Sequence, residues 1–168
     1  MKTRVIISLL AVLMLISCTG GYSFTGASIP PGAKTISVTP FPNYATNVNP
    51  QLSQKLTDEL TQMFSSQTQL SVLNDGEGDL QVSGQITGYE TRASALSSSD
   101  EVSMNRLTIT IKVKFVNTID PEADFEQQFS RYRDYAASQD FSSVESGLMS
   151  EIVSELCEDI FNKAVVNW

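Results

Sequence analysis

Histidine is missing from all 168 residues, and that absence removes more chemistry than any motif present supplies. Without imidazole there is no general base tuned near neutral pH, no Ser-His or Cys-His nucleophile pair and no histidine metal ligand. Cysteine is scarce as well, with only Cys18 and Cys157 in the chain, so a dense disulfide framework and a Cys-x-x-Cys site are both excluded. Basic residues number 11 against 19 acidic ones, which argues against a broad nucleic-acid-binding surface. The apolar run from Val5 to Ile16 is too short to cross a bilayer, because as a helix it covers ~18 Å of a hydrocarbon core of ~30 Å. No Gly-rich phosphate loop or calcium-loop spacing occurs. No metal or cofactor is expected, and any catalysis would fall to carboxylates, lysine or tyrosine.

What is present begins with an export signal over residues 1–17. Lys2 and Arg4 give a basic start, the apolar run follows, and small Ser17 precedes Cys18, the order expected of a cleaved secretory segment. Leu15-Ile16-Ser17-Cys18 resembles the lipobox of bacterial lipoproteins, in which the cysteine is acylated with palmitate-type chains and becomes the first residue of the mature protein. The alternative is an ordinary secreted protein in which Cys18 is incidental. One acyl chain binds membranes only reversibly, at ~0.8 kcal/mol per buried CH₂, whereas several make attachment permanent. Thr19, Gly20 and Gly21 come next, with neither the aspartate that often marks inner-membrane retention nor an acidic run that can mark surface display. The resemblance therefore implies the periplasmic side of the outer membrane.

Removing residues 1–17 takes away two basic residues and no acidic ones, which moves the formal charge from −8 to −10 and leaves one domain's worth of chain. With Cys18 lipidated, Cys157 is the one free thiol and packing alone must hold the fold. Residues 18–34 are rich in Gly, Ser, Thr and Pro and read as a flexible tether. Residues 35–168 read as a single domain.

Within that domain, Ile36 and Val38 alternate with polar residues in a strand that stops at Pro40-Phe41-Pro42. Asn49-Pro50 opens a helix whose buried stripe is Leu52, Leu56, Leu60, Met63 and Phe64. Leu70 to Leu73 is a short strand. In Asn74-Asp75-Gly76-Glu77-Gly78-Asp79 the acids alternate with glycine, which suits a solvated turn, or a weak cation site that lacks the further ligands calcium needs. Leu80, Val82 and Ile86 share a strand face with Gly84 and Gly88. The strongest pattern runs from Arg106 to Val116, with Leu107, Ile109, Ile111, Val113 and Phe115 on one side and Thr108, Thr110, Lys112 and Lys114 on the other. Such alternation predicts a sheet covered on one face only.

Phe125 to Tyr135 fits either a helix or a strand. Strand is preferred because an antiparallel register with Phe125 opposite Phe115 places Glu126 against Lys114, Phe129 against Ile111 and Asp134 against Arg106. That register turns Gln127, Arg131 and Arg133 inward, so a bulge is expected near the strand's end. Ser142 and Glu145 have capping-box spacing, and Val144, Leu148, Ile152, Leu156 and Ile160, widened by Val153 and Ala164, form the stripe of a final helix. Cys157 on its edge reads as a packing residue, since Glu158 and Asp159 discourage a thiolate. The predicted fold is a two-layer α/β sandwich, a mixed sheet of about four to five strands with two helices packed on one face.

The segment Gly21-Tyr22-Ser23-Phe24-Thr25-Gly26-Ala27-Ser28-Ile29-Pro30-Pro31, then Lys34-Thr35-Ile36-Ser37-Val38, Phe41-Pro42-Asn43 and Asn49-Pro50, resembles the LptE family of lipopolysaccharide-assembly lipoproteins. The likeness persists as element order to the end of the chain and includes Phe125-Glu126-Gln127-Gln128-Phe129-Ser130-Arg131-Tyr132. It implies a non-enzymatic lipoprotein partnered with a large outer-membrane β-barrel, LptD, in moving lipopolysaccharide to the outer leaflet, with possible contact to the glycolipid itself. Such contact calls for basic side chains, and Arg92, Arg106, Lys112 and Lys114 are the candidates. Arg106 and Lys114 also read simply as exposed charges paired across strands, whereas Arg92 has no evident partner and starts a Ser-rich stretch, Ala93 to Asn105, that suggests a mobile hairpin loop. A competing reading is an adaptor for another envelope machine, such as a cell-wall synthase activator or a secretion-channel helper. A carboxylate hydrolase would need two acids facing one cleft at ~5–9.5 Å.

Overall fold

The structure, a computed structural model, describes residues 29–73, 77–94 and 103–165. In chain order it contains β1 (Thr35–Val38), helix α1 (Pro50–Gln67), β2 (Ser71–Leu73), β3 (Leu80–Ser94), β4 (Met104–Asn117), β5 (Phe125–Ala136) and helix α2 (Phe141–Val165). The strands form one sheet in the order β2-β1-β3-β4-β5, with β1 parallel to both its neighbours and β3, β4 and β5 antiparallel. Parallel pairing of β1 with β2 requires a crossover, which α1 supplies. This is the α/β sandwich that the hydrophobic patterning predicts.

Burial follows the alternation. Leu107, Ile109, Ile111, Val113 and Phe115 of β4 are all buried, while Lys112 and Lys114 between them are exposed. On β3, Leu80, Val82 and Ile86 join the same core. Asn49 caps α1 by accepting from the Gln51 backbone N–H at 2.9 Å, Pro50 occupies the first turn where its missing donor costs nothing, and Leu52, Leu56, Leu60 and Phe64 form its buried face. That face meets α2, where Phe64 and Phe161 lie 5.2 Å apart between ring centres. Cys157 is wholly buried and burial pushes its thiol pKa up, so it packs rather than reacts.

The break after β1 has a packing role. Prolines 40 and 42 cannot donate to the sheet, so the chain arches over β3 and returns to it at residue 43, with the Ile86 N–H donating to Pro42 and the Tyr44 N–H to Ile86. The Phe41 ring fills the arch against Gly84, the one residue type that leaves it room. Below the arch, the Asp79 carboxylate accepts from the backbone N–H groups of Lys34 and Thr35 and from the Thr35 hydroxyl, at 2.8–3.0 Å. Asp79 thus ties the start of β1 to the start of β3. Of the alternating acids before β3, residues 74–76 lie outside the described residues, and among the described residues no carboxylate group gathers into a metal-binding set.

Four local expectations change. The register of β3 slips at Thr87, so Ile86 faces Ile111 but Gly88 faces Thr110. Gly88 therefore turns to the outer face, and Tyr89, not Gly88, continues the core side. The β4–β5 register is the predicted one, with Phe115 opposite Phe125, Lys114 opposite Glu126 and Arg106 opposite Asp134, and it runs to Ala136 without the expected bulge. No bulge is needed because Arg131 and Arg133 turn toward α2 and find carboxylates there. Arg131 forks onto Asp159 at 2.6 and 2.7 Å, while Arg133 bonds Glu151 at 2.7 Å and Glu155 at 2.5 and 3.0 Å. At its start α2 is capped by Asp140, which accepts from the Ser142 N–H at 3.0 Å, so Ser142 and Glu145 do not form a capping box. Finally, the β3–β4 ladder extends through Ala93–Asn105 and Ser94–Met104, so both ends of the expected loop are strand, and residues 95–102 lie outside the described residues.

Adding a methyl at Gly84 would place it 2.5 Å from the Phe41 ring and against the Lys112 carbonyl. Gly84→Ala is expected to cost about 1–3 kcal/mol by overpacking, read as a lowered urea midpoint with an unchanged slope. An unchanged midpoint would show that the arch shifts freely.

Candidate functional site

The uncovered face of the sheet carries all four basic candidates. Because side chains alternate, β3 contributes Ser83, Gln85, Glu90 and Arg92 to it, β4 contributes Arg106, Thr108, Thr110, Lys112 and Lys114, and β5 contributes Glu126, Gln128, Ser130, Tyr132 and Asp134. Its charged side chains are four basic and three acidic, in a chain whose overall formal charge is −8. The acidic excess sits elsewhere, above all on α2 with Glu145, Glu151, Glu155, Glu158 and Asp159 against Lys163.

All four basic candidates lie on this face, but in different settings. Arg106 forks onto Asp134 with bonds of 2.7 and 2.9 Å, and its guanidinium carbon sits 3.7 Å from the centre of the Tyr132 ring. The Asp134 bond raises the Arg106 pKa, and the same bond lowers that of Asp134. Arg106 is therefore fixed and always charged. Lys112 pairs diagonally with Glu126, whose carboxyl it holds below the usual range, so the Lys114–Glu126 pairing expected from the register is displaced by one step. Lys114 makes no ion pair among the described residues. Arg92 does have a partner, Glu90 two residues back on the same strand at 2.7 Å, yet its side chain stays 79% exposed. Directly opposite Arg92 in the ladder stands Arg106, and each guanidinium turns to its own carboxylate, Glu90 and Asp134. Cys18, the lipidation candidate, lies outside the described residues.

Between the charges run hydroxyl and amide side chains. Thr110 and Ser130 exchange a hydrogen bond of 2.9 Å, and Thr87 donates to the Thr110 carbonyl at 3.3 Å. Tyr132 stands half exposed among them. Sequence reading gave Tyr132 no role, because its ring gains meaning only from Arg106 across the strand. The face thus sets paired charges, hydroxyls and one half-exposed aromatic ring side by side.

A model of the lipopolysaccharide-assembly family LptE matches residues 33–164 of the chain. The chain belongs to the LptE family. The match spans β1 to the last turn of α2, the whole of the sandwich described above, and LptE is a non-enzymatic lipoprotein family. Among solved structures, a minor lipoprotein from Acinetobacter baumannii is similar at 14% identity, covering 78% of this chain and 91% of that one with a TM-score of 0.51. A hypothetical protein from Chlamydia trachomatis is similar at 8% identity, covering 80% and 99%, with a TM-score of 0.52. At such identities the likeness is one of fold. No curated protein matches. Among the described residues no helix is long and apolar enough to cross a membrane.

The carboxyls of Asp79, Glu126, Asp134 and Glu155 are all held below their ordinary values of 3.8 and 4.5 by hydrogen bonds to backbone N–H, lysine or arginine. Each is less readily protonated folded than unfolded, so the stability it contributes is present above its ordinary value and lost as pH falls through the lowered one. Melting temperature is expected to hold from pH 7 to about 5 and then drop progressively toward pH 2. Asp134→Asn should melt lower at pH 7 and show a shallower acid drop; parallel curves for the two proteins would mean that Asp134 does not contribute.

Proposed function

We propose that this LptE-family chain is an outer-membrane lipoprotein that partners a large LptD-like β-barrel in lipopolysaccharide transport and assembly. Residues 1–17 direct export, Cys18 carries the acyl chains on the periplasmic side of the outer membrane, residues 18–34 form the tether and residues 35–168 are the partner-binding domain. The observation that carries this reading is the open sheet face: a strongly acidic chain of an assembly family keeps four of its basic side chains on the uncovered face of its sheet. Buried in a barrel or laid against a glycolipid, Arg92, Arg106, Lys112 and Lys114 would meet phosphate or carboxylate groups, for which guanidinium and ammonium are the strongest donors.

Affinity purification from outer membranes in mild detergent should recover a large β-barrel in about equal amount, and recovery of a cell-wall synthase instead would favour an adaptor role. Cys18→Ser is expected to abolish lipid modification and to leave the protein soluble or unprocessed, read by intact mass and fractionation. A normally cleaved chain that stays on the membrane without its barrel would remove the lipoprotein assignment.

The double variant Arg92→Glu with Lys112→Glu gives up surface ion pairs worth about 0–1 kcal/mol each, so its melting temperature should change little. Loss of charge-assisted contacts to an anionic partner is larger, about 1.5–3 kcal/mol per bond, and should appear as sensitivity to large antibiotics. Unaltered resistance with normal barrel recovery would mean that these charges are only solvated surface.

A further inference from the structure

A concave site lies away from the open sheet face, where the loop before α1 meets the first turns of α2. It is a cleft of about 480 Å³ lined by residues 47–50, Tyr89, Thr91, Phe141 and Glu145. Three elements converge on one carboxylate oxygen: the Tyr89 hydroxyl donates to Glu145 Oε1 at 2.5 Å, and the Asn49 side-chain amide donates to the same atom at 2.8 Å. The register slip in β3 is what turns Tyr89 to this side. The Tyr89 pKa is raised by burial and by Glu145, so the phenol stays protonated and remains a donor.

The second oxygen of Glu145 accepts nothing from the described residues. This is informative because every basic residue beyond Arg4 is among them, and none pairs with Glu145. A half-buried carboxylate fixed by two neutral donors and left without a cation is an unmatched charge. Around it, Val48, Pro50 and Phe141 supply apolar walls, and the same loop exposes Tyr44 by 69% and Val48 by 59%. An acidic floor under an apolar rim fits an aliphatic stem that ends in a cation. We propose that this cleft receives an arginine or lysine side chain presented by a partner protein, its cationic head on Glu145 and its stem across Val48, Pro50 and Phe141. The proposal does not rest on the sheet-face reading, whose variants at Arg92 and Lys112 leave the cleft untouched.

The test is a backbone NMR titration of the full mature chain in mild detergent, using Nα-acetyl-arginine amide as probe and its neutral isostere Nα-acetyl-citrulline amide as control. Saturable shifts at Val48, Tyr89 and Glu145 are expected with the arginine probe, at least tenfold weaker with citrulline. Glu145→Gln keeps an Oε1 acceptor for Tyr89 and Asn49 but removes the charge, and should abolish the arginine response without moving the melting temperature. If that variant melts appreciably lower, the arginine–citrulline comparison on the native chain decides alone. Equal responses to the two probes, no response to either, or an arginine response that survives in Glu145→Gln would overturn the proposal.

Discussion

A sheet with one dry face and one wet face constrains everything else in this molecule. β4 enforces it: five alternate side chains, Leu107 to Phe115, are buried under the helices, each worth roughly 1.5–3 kcal/mol of burial, and a one-residue slip would turn all five to water. Its neighbours must match that phase. β5 does so along its whole length. β3 does so with one correction, the extra residue at Thr87, which puts Tyr89 rather than Gly88 on the core side. The bulge thus serves two surfaces at once, filling the core with an aromatic ring and delivering a hydroxyl to Glu145 on α2.

β5 shows how the same constraint is met where apolar residues run short. Only Phe129 and Tyr135 of its inward set are buried, and Arg131 and Arg133 occupy positions between them. Carboxylates of α2 meet both guanidinium groups, so the edge strand is fastened to the helix by forked ion pairs where hydrophobic contact is thin. These pairs are partly exposed and individually weak. Their second effect is steric and polar: Arg133 also donates to the Tyr132 carbonyl at 3.0 Å, and inward-pointing charges on an edge strand oppose pairing with another chain. The edge strand is thereby kept from adding to other sheets at random.

How much of this was legible depended on how far away the deciding contact lay. The β4–β5 register followed from alternation and charge matching within some 30 residues, and it is the register observed. The inward arginines looked like a register fault because their partners, Glu151, Glu155 and Asp159, belong to the next element. Capping at α2 was misassigned because Asp140 and Ser142 are both good caps, and only geometry shows that Asp140 takes the Ser142 N–H while Glu145 is engaged by Tyr89 and Asn49. Among the candidate contacts, the Arg106–Asp134 pair could be read from the register, whereas the diagonal Lys112–Glu126 pair and the Tyr132 ring beneath Arg106 depend on rotamers that no spacing encodes.

The positions of the two candidate surfaces bear on how an anchored molecule would present them. Asp79 pins Lys34 and Thr35 beside the first residues of β3, so the chain toward Cys18 leaves from that end of the sheet. Tyr89 lies nine residues along β3, roughly 30 Å away at ~3.3 Å per residue. Ile29 and Ala33 already pack against the core, so the lead from a lipidated Cys18 would be the eleven residue steps to Ile29, at most ~40 Å, still longer than that separation. In the proposed lipoprotein, an anchor on such a lead would hold the domain near the membrane without fixing which face it turned to a partner. Orientation would then fall to the domain's own charge: a sheet face with four basic and three acidic side chains on one side, and the carboxylates of α2 on the other. Unlike fields on opposite layers turn the molecule before contact, and a partner carrying the complementary arrangement would select one docking pose from the many that the tether allows.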